Sequence, residues 1–314
     1  MDYRTLSARM RAVHIYTITP FKHDQGFPVD LEGMRRNVAF WASLEGEKVI
    51  SVCCGTGEFS SLTEEENRQI VEVSAEEISG RCPLVSGIGG ETEKAIRMVK
   101  AAEKAGADAV LVRPDQAVWD QGDDYVFRHH AKIAEAAEIG LMPYRAGKPL
   151  FSVEMILRLV EIPNVVALKD ESGDLDWFRD MIVATEARLP GITGGEMLAP
   201  HYYLASGSGI TSGVSCLLFH HSLEQWRAGM AGDFEGAMAV RDRLAEITKF
   251  RGKSGGTFIK AGMEMMGLAG GPVRATGAVM SEGDRKTLRK MLVDLGARST
   301  GQAESPLHRP RRPF

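Results

Sequence analysis

An α/β fold of the (β/α)8 TIM barrel type with a C-terminal helical extension is predicted from three observations. Short runs rich in β-branched residues recur eight times before residue 214, at 13–18, 48–53, 83–88, 108–113, 140–144, 165–169, 191–195 and 209–213. Helical periodicity fills the gaps between them. No dinucleotide glycine signature follows the first run, as an open doubly wound sheet would usually need.

The elements follow in order. After the first strand, Leu31, Met34, Val38 and Trp41 form one apolar stripe at helical spacing. Thr63 with Glu66 reads as a capping box that opens the helix after the second strand. Residues 91–106 form an amphipathic helix stopped by Gly106, and Ala107-Asp108 leads into the fourth strand. His130 falls in line with Val126, Ile133 and Ala137, the pattern of a hydrogen-bonded core histidine. From Ser222 to about residue 295 the strands stop, and three helices are expected, with Trp226, Met230, Phe234, Leu244, Ile247, Phe250, Ile259, Met263 and Leu288 as apolar anchors. The predicted organisation is therefore a barrel over 1–221, a helical extension over 222–296 and a disordered tail over 297–314, where Pro306, Pro310 and Pro313 accompany several arginines.

Composition narrows the function. The 314 residues are 44% hydrophobic and 25% charged, enough to bury a large core, and a net charge of -4 gives no general attraction to nucleic acid or anionic membrane. No apolar stretch approaches the roughly 18 residues of a membrane span, and Met1-Asp2-Tyr3-Arg4-Thr5 lacks a signal-peptide core. The expectation is a soluble cytoplasmic protein. Cys53-Cys54, Cys82 and Cys216 lack both a disulfide framework and metal-ligand spacing, and the adjacent pairs His129-His130 and His220-His221 lack the i, i+4 grip on zinc. Neither metal nor cofactor is expected.

Working groups of such a barrel sit at the carboxyl ends of its strands, so the strand ends supply the candidates. Lys169 closes the apolar run Val165-Val166-Ala167-Leu168. Partial burial there disfavours the ammonium, and a free amine attacks a ketone to form an imine; the plainer reading is a lysine whose head reaches solvent. Gly55-Thr56-Gly57, after the second strand, offers a hydroxyl and unhindered amides for a carboxylate, or merely a tight turn. Tyr144, ending the fifth strand, is either a barrel-lining aromatic or a phenol that passes protons beside the amine. The seventh strand ends at Gly195 and the eighth in Thr211-Ser212-Gly213.

Together, Gly55-Thr56-Gly57-Glu58 with Leu62-Thr63 and Glu65, the segment AEKAGADAVLV at 102–112, Tyr144, and Leu168-Lys169-Asp170 with Gly173-Asp174 resemble the dihydrodipicolinate synthase and N-acetylneuraminate lyase superfamily, over roughly residues 13–292. The resemblance implies a class I mechanism in which Lys169 forms a Schiff base with a 2-oxo acid, Tyr144 relays protons, and Thr56 with the Gly57 amide holds the carboxylate. It also implies a homodimer or homotetramer.

Within the superfamily the chain is most similar to the 5-dehydro-4-deoxyglucarate dehydratase branch. The features are a single threonine in the loop CGTGEFSSLT, Phe258-Ile259-Lys260-Ala261-Gly262, and Gly270-Gly271-Pro272-Val273-Arg274. Against the synthases, Gly55 stands where a relay threonine is expected, Asp115-Gln116 where a tyrosine pair is expected, and Pro149 where the semialdehyde-binding arginine is expected. The chain also departs from the dehydratases. Tyr144 is followed by Arg145, Ala146, Gly147 and Lys148 rather than asparagine and arginine, and Arg113 with Asp115 is unusual at the end of strand four.

The expected substrate-binding set is Thr56, Gly57, Gly55, Ser212, Gly195 and Arg145. Arg145 or Lys148 is the candidate for a far carboxylate, against the alternative of solvent-facing loop cations. Ser212 is the candidate to hold or protonate a departing C4 hydroxyl after the C3 proton leaves to Tyr144 or a water. The same iminium serves an aldolase that releases pyruvate or a synthase-like condensation, and a barrel that binds oxo acids without turnover is the non-enzymatic alternative.

Overall fold

The computed structural model describes residues 2–146 and 151–298; Gly147, Lys148, Pro149 and all but the first two residues of the predicted tail lie outside them. The elements run α1 (Tyr3–Arg9), β1 (Val13–Tyr16), α2 (Leu31–Ser43), β2 (Lys48–Val52), a 3-10 turn (Phe59–Ser61), α3 (Glu64–Ile78), β3 (Leu84–Gly90), α4 (Thr92–Lys104) and β4 (Ala109–Pro114). There follow α5 (Gln116–Trp119), α6 (Asp123–Glu135), β5 (Gly140–Arg145), α7 (Val153–Leu159), β6 (Leu168–Asp170), α8 (Leu175–Ala184), β7 (Gly191–Gly194), α9 (Ala199–Leu204) and β8 (Gly209–Ser212). The chain then forms α10 (Ser215–Met230), α11 (Phe234–Arg243), α12 (Ala245–Ser254), α13 (Thr257–Met265) and α14 (Glu282–Asp294).

All eight strands are parallel, and β8 returns to pair with β1 through Val13–Ile210 and Ile15–Ser212, closing the barrel. Strand alternation divides the core in two. Tyr16, Val49, Val85, Ala109, Leu111, Met142, Ala167 and Ile192 point inward and form one apolar cluster. Val13, Ile15, Ile50, Val110, Leu141, Leu168 and Ile210 point outward against the helices.

Helix α1 was not foreseen from the sequence. Asp2 caps it, and its Leu6 and the following Met10 enter the inner cluster, so the helix plugs the end of the barrel away from the strand carboxyl ends. The predicted capping box is present: Thr63 Oγ1 accepts from Glu66 N at 3.1 Å while Glu66 accepts from Thr63 N at 2.9 Å. Gly106 takes a left-handed φ of 95° after α4, as its place at the helix stop requires. His130 is a core histidine, its Nδ1 2.8 Å from the Val126 carbonyl and its ring edge-on to Phe151. The four cysteines are unpaired and buried.

The extension departs from the three helices expected. Among the described residues beyond Ser222 lie the rest of α10 and four further helices, because Gly255-Gly256 splits α12 from α13 and a long turn separates α13 from α14. The boundary expected at 221/222 falls inside α10, which packs on β1 and β8 as barrel helices do. Among the described residues, no helix is long and apolar enough to cross a membrane.

Candidate active site

Lys169 sits centrally on β6, and its side chain enters the barrel mouth almost completely buried. Its Nζ lies 4.3 Å from the centre of the Tyr16 ring and 4.2 Å from that of Tyr144, a sandwich of two aromatic faces. Among the described residues its ion-pair partner is Glu171, with Oε1 at 3.1 Å. The other oxygen of Glu171 accepts a short hydrogen bond from the Tyr144 hydroxyl. Lysine, carboxylate and phenol thus form a continuous chain, set by the pairing of Tyr144 with Lys169 across β5 and β6.

The electrostatics follow from burial. Desolvation pushes the Lys169 ammonium below its ordinary range, and the Glu171 charge opposes this without cancelling it. Burial pushes the Glu171 carboxyl up, but the Lys169 charge and the bonds from Tyr144 and Lys169 outweigh it and hold the group below the usual carboxylate range. Burial first, then the Glu171 charge and hydrogen bond, raise the Tyr144 phenol well above its ordinary value. The phenol is therefore a donor to Glu171 rather than a free base.

These groups line a cavity of about 240 Å³ together with Tyr16, Cys54, Gly55, Thr56, Leu111, Arg113 and Arg251. Two adjoining spaces open from it. One, of about 310 Å³, runs along Gly194, Gly195, Thr211 and Gly213; the other, of about 520 Å³, runs between Glu58 and the α12–α13 turn. Thr56 and Arg251 border all three spaces. The Tyr16 hydroxyl is buried without a hydrogen-bond partner among the described residues.

The structure brings together Lys169, Tyr144, Gly55, Thr56 and Gly195 from the expected set. Gly57 packs beneath the loop: its carbonyl accepts from Thr19 Oγ1 at 2.7 Å, and an added Cβ would lie 3.1 Å from the Thr17 carbonyl oxygen. Ser212 departs from expectation, because its side chain points out of the barrel, donates to the buried Glu196 and accepts from Ser215 N at 2.9 Å. Its neighbours Thr211 and Gly213 face the cavity instead.

Arg145 departs more sharply from its expected role. Following inward-facing Tyr144, it points outward and is 1% exposed; Nη1 donates to Asp170 Oδ1 at 2.9 Å, Nη2 to Asp174 Oδ2 at 3.2 Å, and the guanidinium stacks 3.6 Å from the centre of the Trp177 ring. Tyr202 completes this network, donating to Asp170 Oδ2 at 2.6 Å. Arg145 is a buried tie behind the barrel wall and cannot reach a substrate in the cavity.

Sequence reading missed Glu171, Tyr16 and Arg251. The first two carried a signal, since residues two apart on a strand share a face, so a lysine facing inward at 169 brings residue 171 with it. Arg251 carried none, because it arrives from α12 in the extension. It packs over Gly213, where an added Cβ would lie 2.7 Å from Nη2, and among the described residues its guanidinium makes no hydrogen bond or ion pair. The extension also fixes the Thr56 loop. Lys260 pairs with Glu58 at 2.7 Å, the Arg274 amide donates to Glu58 Oε2 at 2.9 Å, and the Arg274 guanidinium grips Glu66.

The chain is similar to known proteins in sequence and in fold. A probable 5-dehydro-4-deoxyglucarate dehydratase of Streptomyces griseus subsp. griseus is 32% identical over 294 residues, covering 87% of this chain and 89% of its own length. A 4-hydroxy-tetrahydrodipicolinate synthase of Methanospirillum hungatei JF-1 is 29% identical over 289 residues, covering 88% of this chain and 96% of its own. The crystal structure of dihydrodipicolinate synthase from Oceanobacillus iheyensis superposes with a TM-score of 0.83 at 27% identity, covering 94% of this chain and 99% of that one. With the dihydrodipicolinate synthetase family model matching residues 9–295, this chain belongs to that family, whose named members here include both synthases and dehydratases.

Proposed function

We propose that the chain is a Schiff-base lyase that dehydrates a deoxy-oxo sugar acid, in the manner that the name 5-dehydro-4-deoxyglucarate dehydratase describes. The observation that carries this reading is Lys169: a buried amine held between two aromatic rings at the floor of a cavity, with its ammonium disfavoured by burial. The amine attacks the C2 ketone, and the resulting iminium acidifies C3 and promotes loss of the C4 hydroxyl. Gly55 and Thr56 border the space beside the lysine and supply a hydroxyl and backbone groups for the C1 carboxylate. Gly195 and Thr211 line the space for the rest of the substrate. With Arg145 held behind the wall, the arginines that line this cavity among the described residues are Arg251 and Arg113. Two arginines around an acidic substrate favour a diacid over a simple monoacid.

The test is product analysis after incubation with 5-dehydro-4-deoxyglucarate, by NMR and mass. Loss of water, with or without carbon dioxide, supports the reading. Free pyruvate together with an aldehyde would replace it with an aldolase.

A further inference from the structure

The chain from Lys169 through Glu171 to Tyr144 holds more than an amine and its neighbours. Glu171 touches the reacting nitrogen directly, with Oε1 3.1 Å from Nζ, and its other oxygen is occupied by the Tyr144 hydroxyl. Both residues it touches line the same cavity, as it does itself, and its side chain remains about one-third exposed toward that cavity. A bystander counter-ion would more simply lie behind the lysine, away from substrate. This one stands in the space a 2-oxo acid must enter.

Resting on the Schiff-base reading above, we propose that Glu171 is the catalytic base that removes the C3 proton and returns it to the departing C4 hydroxyl. In the iminium the nitrogen is bonded to C2, and C3 is the next carbon. A carboxylate that touches the nitrogen is therefore within reach of the C3 hydrogens. The C3–H bond breaks, its proton goes to a Glu171 oxygen, and its electron pair forms the C2–C3 double bond as the C2–N pair returns to nitrogen. The neutral enamine then reverses the flow. The nitrogen pair re-forms the iminium, the C2–C3 pair moves to C3–C4, the C4–O bond breaks, and the hydroxyl takes the Glu171 proton and leaves as water. No oxidant or reductant is consumed, and Glu171 ends as it began.

The charge pattern suits this cycle. While the nitrogen is cationic, as ammonium or iminium, it stabilises the Glu171 carboxylate; when the enamine removes that charge, burial favours the neutral acid. The carboxyl thus takes up a proton at the stage that releases one. Tyr144 serves as a positioning residue, because its hydroxyl donates to Glu171 and fixes the second oxygen.

Deuterium exchange into the pyruvate methyl group, followed by NMR, reads C3 proton removal without any elimination. Borohydride trapping of the same protein with pyruvate reads imine formation. Glu171→Gln should trap pyruvate yet lose about 10²–10⁴-fold in exchange, and Glu171→Asp should recover part of it. Tyr144→Phe, which leaves the carboxylate in place, should lose less than Glu171→Gln. Wild-type exchange in a trappable Glu171→Gln protein would overturn the assignment and leave the Schiff-base reading standing. A folded Glu171→Gln protein that traps no pyruvate would assign Glu171 to imine formation and equally overturn it. Exchange absent from wild type that nevertheless traps pyruvate would overturn the C3 step itself, whereas a wild type that neither traps nor exchanges would remove the Schiff-base reading as well.

Discussion

Two lysines of this barrel are buried almost equally, and only one borders a cavity with a single polar partner among the described residues. Lys169 and Lys260 are 4% and 2% exposed, each lies about 4 Å from an aromatic ring centre (4.3 Å to Tyr16, 4.3 Å to Phe21), and each faces a glutamate. Burial lowers both ammonium groups, opposed in each case by the glutamate. They differ in their hydrogen bonds. Lys260 Nζ donates to the Thr19 carbonyl at 2.9 Å and the Pro272 carbonyl at 2.7 Å and forms an ion pair with Glu58 at 2.7 Å, so it is held by three polar partners. Lys169 Nζ has Glu171 as its one polar partner among the described residues and otherwise meets the Tyr16 and Tyr144 rings beside the cavity. Burial that depresses a lysine therefore does not by itself mark a nucleophile; the two lysines differ in their polar partners and in whether they border a cavity.

The largest effect is expected at Lys169. Replacing it with alanine should reduce turnover on the order of 10³-fold or more while the melting temperature changes little, because the loss is of the nucleophile rather than of packing. Steady-state kinetics beside a thermal melt checks both halves. Activity retained within tenfold would place the nucleophile elsewhere.

Lys260→Met should show the opposite signature. Removing one partner of a buried pair leaves Glu58 and two carbonyls uncompensated, at a cost of about 3–5 kcal/mol. Denaturant unfolding should reveal that loss, while protein kept well below its melting point still traps an imine at Lys169. An unchanged unfolding midpoint would mean that Lys260 does not tie the extension to the barrel.

Arg251 is a cation at the same cavity whose guanidinium makes no hydrogen bond or ion pair among the described residues. Arg251→Ala should lower kcat/KM for a diacid roughly 10–100-fold, the range expected for one hydrogen bond to a charged group, and should leave exchange of pyruvate much less affected. Equal losses on both substrates would count against a role in binding the second carboxylate.

The smallest effect concerns buried histidines. Desolvation pushes His14 and His130 down to about 4 and His129 to about 3, so the folded state keeps them neutral where the unfolded chain would protonate. Their contribution is fully present above about pH 6.5 and is lost progressively as pH falls from there toward the folded values, since the unfolded state then binds more protons. Melts across that window should show declining stability, and a flat profile would contradict the burial of these rings.

Much of this could be read in the chain before its structure was known. The eight strand runs, the Thr63 cap and the stop at Gly106 are local patterns, and local patterns survive folding. Lys169, Tyr144 and Thr56 were legible because strand ends converge in a parallel barrel. Arg145 and Ser212 depart from expectation because a strand turns each successive side chain to the opposite face, so that Tyr144 and Thr211 face the cavity while Arg145 and Ser212 face out. Applied strictly, the same alternation would have rejected both and selected Glu171 and Thr211. Arg251 was beyond such rules. Its position depends on how α12 lies across the barrel mouth and on the missing side chain at Gly213, neither of which has a local signature.

The most direct measurement is intact mass after incubation with pyruvate and borohydride, on the wild type and on Lys169→Ala. Reduction fixes an imine permanently on its lysine, so a covalent adduct is expected on the wild type, mapped to the peptide containing Lys169, and none on the variant. An adduct that persists in the variant, or none on the wild type with pyruvate and a panel of longer 2-oxo acids, would contradict it.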